Sequence, residues 1–531
     1  MKILLVSGLG PNFKNADYLH ATLFDRPRSA GLSAEAFDGF DIDQLGFVHR
    51  GRTYPLLRPR RGAIPHLTTF TLENLIKTCG MPYHILRTER IWRGEPIALR
   101  GPFDLVLVST TYVWDWQTLN RLLDRVLALA GGPPLFLGGQ FSNLKFERIM
   151  AARPEVDGIV RGDGERAIPQ LVDAVLRTGR LEQVDNLVYR ADGAVRANAL
   201  RNIDLDRECV TDLVGEFPVI PYESMRGCPF SCKFCSFPAA SPTWRYKSAE
   251  TIAGDWCRYR QRNGARFIKA MDSIFTVPPK RLTRLLELLP QVGVAWEGYS
   301  RANVIKDAAL LERLAEAHCR FLSIGFESMS PNSLAAMKKL VSVEQTHRAF
   351  ELLSKGPVGY RCSFMTGYPG ETPEDFALTR SFLVDKYRGH FMLSVFSLSD
   401  EQMPVWADAA RYRIEILDTD NVDYSWRHSG MDIATAIALN HDALDTVRER
   451  NDSAVLMLWQ ADYQHWLAPH LSSATNLQIE KTVERIAFLA RDEDNPHDRR
   501  AMLTLYLHRL AAHGIVVDSQ KSFTQDSLLE A

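Results

Sequence analysis

Apolar positions in this chain fall into short unbroken runs separated by stretches of helical period. Lys2–Val6, Tyr83–Leu86, Asp104–Ser109, Pro134–Leu137 and Val156–Val160 read as strands buried on both faces. Trp116–Leu129 and Phe146–Ala152 between them read as amphipathic helices. That alternation predicts an α/β unit, a parallel sheet with helices on both sides. The rhythm resumes after Pro218. Arg266–Met271, Val294–Tyr299, Phe321–Phe326, Arg361–Thr366 and His390–Phe396 are predicted strands. Lys247–Asn263, Lys280–Leu289, Ala308–Ala315, Ser333–Lys339, Val343–Ser354 and Pro373–Lys386 are predicted helices. Ser330-Pro331 and Thr372-Pro-Glu-Asp375 mark two helix starts, with a hydroxyl cap, a proline in the first turn and, in the second, an acid placed as in a capping box. This second α/β unit reads as a partial barrel.

Beyond about residue 400 the rhythm stops. Met431–Val447 places Ile433, Ile437, Leu444 and Val447 on one helical face, and Trp459, Tyr463 and Trp466 share another, so the tail is expected to be mostly helical. Asp192-Gly193 between apolar runs signals a hairpin. The expected divisions are 1–175, a linker with this hairpin over 176–217, 218–400, and 401–531.

In parallel sheets, ligands gather at the carboxyl ends of the strands. Those ends in the first unit carry Ser7-Gly-Leu-Gly-Pro-Asn12, Ser109-Thr-Thr-Tyr112, Gly138-Gly-Gln140 and Arg161-Gly-Asp-Gly-Glu165. Small and hydroxyl residues recur at each, as needed where backbone approaches a ligand closely. A dinucleotide fingerprint is broken: after Gly8 and Gly10, the third glycine would fall at Phe13. His49, Arg50, Arg52, Arg58, Arg60 and Arg61 form a basic stretch, read as a solvated loop or as an anion contact.

Composition narrows the class. The 531 residues are 46% hydrophobic and 24% charged, with 63 Lys and Arg against 64 Asp and Glu. Such a balance gives no support to a nucleic-acid partner. Met1-Lys-Ile-Leu-Leu-Val-Ser7 is too short an apolar run for a signal peptide, and no stretch is long enough to span a bilayer. Cys79, Cys209, Cys257, Cys319 and Cys362 are scattered, unlike a secreted disulfide framework. A reducing cytoplasm is the expected location, and the oligomeric state is open.

Cys228, Cys232 and Cys235 stand apart. They lie in Met225-Arg-Gly-Cys-Pro-Phe-Ser-Cys-Lys-Phe-Cys-Ser-Phe-Pro238, spaced C-x3-C-x2-C. Three thiolates on one loop can hold three corners of a cubic iron–sulfur cluster and leave the fourth iron open. The rivals are structural zinc, which needs a fourth ligand from elsewhere, and three buried free thiols.

This run, with Phe234 before the last cysteine, resembles the signature of radical S-adenosylmethionine (SAM) enzymes. Ala270-Met-Asp272 with Ile274-Phe275, Gly325-Phe-Glu-Ser328 and Phe364-Met-Thr-Gly-Tyr-Pro-Gly-Glu-Thr372 follow in that family's order. The first unit resembles the cobalamin-binding domain of one large branch, with Gly138-Gly139 and Arg161–Glu165 similar to its turns. Asp272–Pro278 and Tyr424-Ser-Trp-Arg-His-Ser-Gly-Met431 are most similar to phosphinate P-methyltransferases, with tryptophan 2-C-methyltransferases as neighbours.

The resemblance implies a Rossmann-like cobalamin-binding sheet, a partial (β/α)6 TIM-type radical SAM barrel and a helical C-terminal domain. It implies a 4Fe-4S cluster, SAM and cobalamin as cofactors, and an external electron donor of flavodoxin or ferredoxin type. A methyl group would pass from SAM through methylcobalamin to an unactivated carbon or phosphorus of a small-molecule or peptide substrate. A 5′-deoxyadenosyl radical formed at the cluster would activate that substrate. Cyclisation or rearrangement without methyl transfer, polar methylation with the same cofactors, and non-catalytic binding are the alternatives. Cobalamin would contact Gly8, Gly10, Asn12, Thr110, Thr111, Tyr112, Gly138, Gly139, Gly162, Gly164 and Glu165. No Asp-x-His-x-x-Gly loop is present, which implies no protein histidine below the cobalt; an arginine of residues 50–61 is the candidate there. Cys228, Cys232 and Cys235 would bind the cluster. Phe234, Asp272, Arg301, Glu327 and Gly367 would surround SAM, with Arg301 on its carboxylate. Glu297 or Asp272 is a candidate carboxylate for the open iron, and Tyr424 and His428 are candidates for proton handling at the substrate.

Overall fold

A computed structural model describes residues 1–9, 40, 44–56, 65–209, 211–398, 402–418, 425–456, 468 and 470–517. Gly10, Asn12, Arg58, Arg60, Arg61, Tyr424, Trp459, Tyr463 and Trp466 lie outside them.

The first sheet has seven strands in the spatial order Tyr83–Arg87, Ile3–Ser7, Leu105–Ser109, Leu135–Gly138, Gly158–Val160, Leu187–Ala191, Ala194–Ala197. The first five run parallel and the last two form an antiparallel hairpin on the edge. Ile3–Ser7 is buried throughout because alternate residues feed two cores: Leu4 and Val6 pack to one side, Ile3 and Leu5 to the other. Helix Trp116–Ala130 covers the first side, with Asp115 capping Thr118 N at 2.7 Å and Gly131 in the left-handed conformation at its end. Helices Leu67–Thr78 and Ala167–Asp173 cover the other. The strand order reverses between Ile3–Ser7 and Leu105–Ser109, which opens a crevice at their carboxyl ends.

The second sheet is wholly parallel and sequential: Val219–Tyr222, Phe267–Ala270, Ala295–Arg301, Cys319–Glu327, Gly359–Thr366, Gly389–Val395 and Ala454–Leu456. Among the described residues its two edges do not pair, so the barrel is open. Gly359–Thr366 alternates strictly, with Tyr360, Cys362 and Phe364 toward the helices and Arg361, Ser363 and Met365 toward the lumen. Both expected helix starts form, and Thr372 with Asp375 makes a full capping box.

Two features depart from the expectation. The tail is not purely helical: Ala454–Leu456 adds the seventh barrel strand, and Ile515–Val517 pairs with Leu45–His49. The basic stretch is likewise not simply a loop, since its start forms a hairpin of Leu45–His49 with Arg52–Pro55. A three-residue strand is too short to show a period, and the second pairing partner of Leu45–His49 lies more than 460 residues away at Ile515–Val517.

Candidate functional site

The carboxyl ends of the first sheet and of the barrel's first strands face a shared cavity of about 770 Å³. Leu9, His66, Thr111, Tyr112, Gly138, Gly139, Gly162, Gly164 and Glu165 line it from the first sheet. Met225, Phe237, Ser241, Met271, Asp272 and Tyr299 line it from the barrel. Gly139 has φ +107°, and a Cβ there would lie 2.6 Å from Thr111 N, so only glycine fits this close approach. Two expected contacts act beneath the surface instead. Thr110 is fully buried and donates to Gly138 O at 2.9 Å, tying two strand-end loops together. Gly8 makes room for the neighbouring chain, since its Cβ would meet Thr88 N at 2.8 Å.

Glu165 lines the cavity and also ties the first sheet to the barrel. It takes Arg226 at 2.5 and 3.0 Å, while Asp163 takes Arg226 at 2.8 Å and Arg245 at 2.6 Å. Arg226 also reaches Glu223. The Arg161–Glu165 turn is thus bolted to the cysteine loop two residues before Cys228. Surrounding carboxylates hold the Arg226 guanidinium far above its ordinary pKa, and the two arginines keep Asp163 below the usual carboxylate range despite its burial.

Asp272 fixes the start of that loop. Its Oδ1 accepts from Ser224 N at 2.7 Å and Met225 N at 3.0 Å, and its Oδ2 bonds Ser224 Oγ. With both oxygens engaged it is a backbone clamp rather than an open SAM ligand, although burial raises it to about 6. Gly227 has φ +76°, and a Cβ would sit 2.8 Å from Ser241 O and Thr243 O. The three cysteines are free, and Cys235 is pushed up to about 11 by burial and by the neighbouring thiolates. Among the described residues no group of three His, Cys, Asp or Glu converges on one metal ion. Three soft thiolates on one short loop suit a cubic cluster, which offers each of them its own iron. The donor set therefore fits a cluster.

A cationic layer backs the loop. Arg301 Nη1 lies 3.4 Å from Cys232 Sγ, its guanidinium 3.8 Å over the Phe230 ring, and its Nη2 donates to Lys339 O. Arg301 Nε is buried without a partner. Lys339 pairs with Glu327 at 2.6 Å and stands 5.3 Å over Phe234. Glu327 is a non-glycine residue at φ +66°, a strained strand end of the kind found at functional sites. Within the lumen Lys269 meets Glu297 at 3.4 Å, and Arg361 donates to Ser323 Oγ at 2.9 Å. Glu297 is therefore a lumen-wall residue paired to lysine.

Gly367–Glu371 and the tail form one unit. Gly367 (φ +83°) and Gly370 (φ +95°) have no room for a Cβ against Trp426, Ala436 and Tyr412. Glu371 accepts from Gly367 N at 2.7 Å and Ser333 Oγ at 2.9 Å, and burial lifts it to about 7. His428 is not a proton shuttle here. Its Nδ1 accepts from Gly430 N at 3.1 Å, its Nε2 donates to Gly367 O at 3.3 Å, and Trp426 stacks on it at 5.2 Å. Burial lowers it to about 4, so it stays neutral. Arg226, Glu371, Lys339 and His66 were not singled out from sequence. The first two stand inside runs that were, Met225–Pro238 and Phe364–Thr372, so proximity to a motif was their available signal. His66 shows only a proline before a helix.

Residues 222–383 match the family model described as the radical SAM superfamily. The chain carries a radical SAM domain. An uncharacterised methyltransferase of Pyrococcus horikoshii is 26% identical over 302 residues, 52% of this chain and 62% of that protein. The bacteriochlorophyllide d C-12(1)-methyltransferase of Chlorobaculum tepidum is 27% identical over 301 residues, 56% of this chain and 63% of that protein. An anaerobic magnesium-protoporphyrin IX monomethyl ester cyclase of Rubrivivax gelatinosus is 27% identical over 258 residues, 45% and 46% of the two chains. The chain thus spans less than two thirds of each. In fold, the radical SAM domain and its companion sheet together resemble the radical SAM methyltransferase TsrM of Kitasatospora setae, solved with cobalamin and a [4Fe-4S] cluster. The TM-score is 0.61 at 14% identity, covering 92% of this chain and 99% of that one. The cobalamin-dependent SAM radical enzyme OxsB, solved with aqua-cobalamin and SAM, gives a TM-score of 0.51 at 14% identity, covering 96% and 71%. No described helix is long and apolar enough to cross a membrane.

Proposed function

We propose that this protein is a cobalamin-dependent radical SAM methyltransferase acting on a small molecule or peptide, with electrons from an external flavodoxin- or ferredoxin-type donor. The observation that carries the reading is the shared cavity, which sets the glycine-lined rim of the first sheet against the cysteine-loop side of the barrel. A bound cluster would supply the electron that cleaves SAM, and a bound cobalamin a site for carrying methyl. The chain's own residues have narrower tasks. Cys228, Cys232 and Cys235 hold the cluster. Arg301, beside Cys232 with one buried nitrogen unpartnered, receives the SAM carboxylate. Phe234 and the Gly367–Gly370 turn bound the adenine, with Glu371, Trp426 and His428 fixing that turn. Gly138, Gly139, Thr111 and Tyr112 cradle the corrin, while the Arg226 network fixes the spacing of the two cofactors.

Cyclisation is the second reading, favoured by the identity to magnesium-protoporphyrin ester cyclases. Anaerobic reconstitution with methyl-deuterated SAM and candidate substrates separates the two. S-adenosylhomocysteine with 5′-deoxyadenosine and a labelled product is the expected outcome. Cyclisation yields 5′-deoxyadenosine alone, and polar methylation yields S-adenosylhomocysteine alone. Neither product, across substrates and with a strong reductant, would leave only a binding function.

A further inference from the structure

Arg301 ends the third barrel strand, Ala295–Arg301, and its side chain is 6% exposed. Its partners carry no carboxylate. Nη1 donates to Cys232 Sγ at 3.4 Å, Nη2 donates to the Lys339 carbonyl, and the guanidinium lies 3.8 Å over the Phe230 ring. The two lysines nearby are neutralised within the chain: Lys339 by Glu327 at 2.6 Å, and Lys233 by Asp408. Arg301 is thus a buried cation behind the cysteine loop with no ion pair among the described residues. Such a charge is costly unless another anion completes it. Phe230 stands between Cys228 and Cys232, so the stacking ring and the accepting sulfur belong to one loop. Ring and carbonyl together hold the planar guanidinium in a single orientation, which a flexible ammonium could not copy.

We propose that Arg301 sets the reduction potential of a cluster held by Cys228, Cys232 and Cys235, raising it through a fixed charge-assisted N–H···S bond to Cys232 Sγ. The inference rests on the cluster reading of these cysteines. It adds to the SAM-carboxylate role of Arg301, for which Nε is left unpartnered. An added electron makes the cluster more negative, and a cation against one of its ligand sulfurs favours that state. Hydrogen bonds to sulfur and net charge are the levers by which proteins tune such clusters. The electron comes from the flavodoxin- or ferredoxin-type donor and stays on the cluster; no bond or proton changes hands at Arg301.

The full-length protein, reconstituted anaerobically with iron and sulfide and kept free of SAM, isolates this role from carboxylate binding. With arginine labelled with nitrogen-15, hyperfine sublevel correlation spectra of the reduced cluster are expected to show a weakly coupled nitrogen. That coupling should vanish in Arg301→Met. In a redox titration followed by electron paramagnetic resonance, the ratio of reduced to oxidised cluster at a fixed potential should fall about tenfold in Arg301→Met, a one-electron shift of about 59 mV to more negative values. Arg301→Lys keeps the charge without the fixed fork, so it should lose the coupling and shift by less. It is read in place of Arg301→Met if the latter retains no cluster. A wild-type spectrum without the coupling, a coupling that persists in Arg301→Met, or an unchanged midpoint in the variant that is read overturns the assignment. A wild-type protein that takes up no cluster removes the cluster reading itself, and the role of Arg301 with it.

Discussion

The two rims that meet at the cavity are built on opposite plans. On the first sheet, the cavity is lined by glycine, hydroxyl and many apolar side chains such as Leu9, Trp114 and Ile168, with one unpartnered imidazole nitrogen and with Asp163 and Glu165 already held by arginines. On the barrel, the acids that the sequence drew attention to are tied within the chain: Asp272 to the backbone of Ser224 and Met225, Glu327 to Lys339, and Glu297 to Lys269; Glu371 behind them is tied to Gly367 and Ser333. A large, mostly amide-decorated cofactor needs an accommodating cradle. A reactive cluster with its loop needs rigid support, because misplacement of its open iron costs rate directly. One rim is shaped as a receptor, the other as a mount, on which the cysteines and the unpartnered Nε of Arg301 are left to meet a cofactor.

If so, the two rims should fail separately. The largest effect is expected from replacing Cys228, Cys232 and Cys235 together with alanine. The brown cluster absorbance and all SAM cleavage should vanish while cobalamin is still retained, as read by the visible spectrum after desalting. Loss of both cofactors at once would break the contrast. Next comes the bolt between the rims. Arg226→Met leaves the Glu165 carboxylate without its bidentate partner and Asp163 with Arg245 as its remaining direct ion-pair partner among the described residues, at a cost of roughly 3–5 kcal/mol for a broken buried pair. Limited proteolysis should then open the 198–218 connection, and product formation should fall more than either cofactor content.

Gly139→Ala should affect the receptor alone. Left-handed backbone and a contact of 2.6 Å against Thr111 N predict at least about 1–2 kcal/mol, near tenfold weaker cobalamin retention, with iron content unchanged. The last effect concerns the mount and is confined to acid pH. His428 is held near 4 by burial. Its folded pKa lies below its unfolded value, so its neutral-state stability is complete above about pH 6.5 and is lost as pH falls toward 4. By pH 5 the loss approaches about 2 kcal/mol. In denaturant titrations from pH 7.5 to 5, His428→Asn should be less stable at pH 7.5 and show a flatter decline. A decline as steep as wild type would mean that another group sets it.

Much of this was legible in the sequence. Buried runs such as Ile3–Ser7 and the strict alternation of Gly359–Thr366 state their own faces, and Ser330 and Thr372 announce helix starts by local hydrogen bonding. What could not be read is what depends on distant partners. An acid at a strand end looks the same whether it awaits a cofactor or clamps a loop, and Asp272 and Glu165 proved to do the second. His428 sits in a run that invited a chemical role, yet its ring secures the Gly367–Glu371 turn 61 residues away. His66 illustrates the reverse. Nothing around it in sequence marks it, and only the fold places its nitrogen at the switch point.

The central claim is one cavity shared by a corrin and a cluster. Anaerobic crystals of the protein reconstituted with iron, sulfide, cobalamin and SAM, measured at the cobalt and iron absorption edges, test it most directly. The account predicts cobalt anomalous density between the Ser109–Trp114 and Gly138–Gln140 loops, and an iron cluster at Cys228, Cys232 and Cys235 across the same cavity. Cobalt elsewhere, or a single zinc ion at the cysteines, would contradict it.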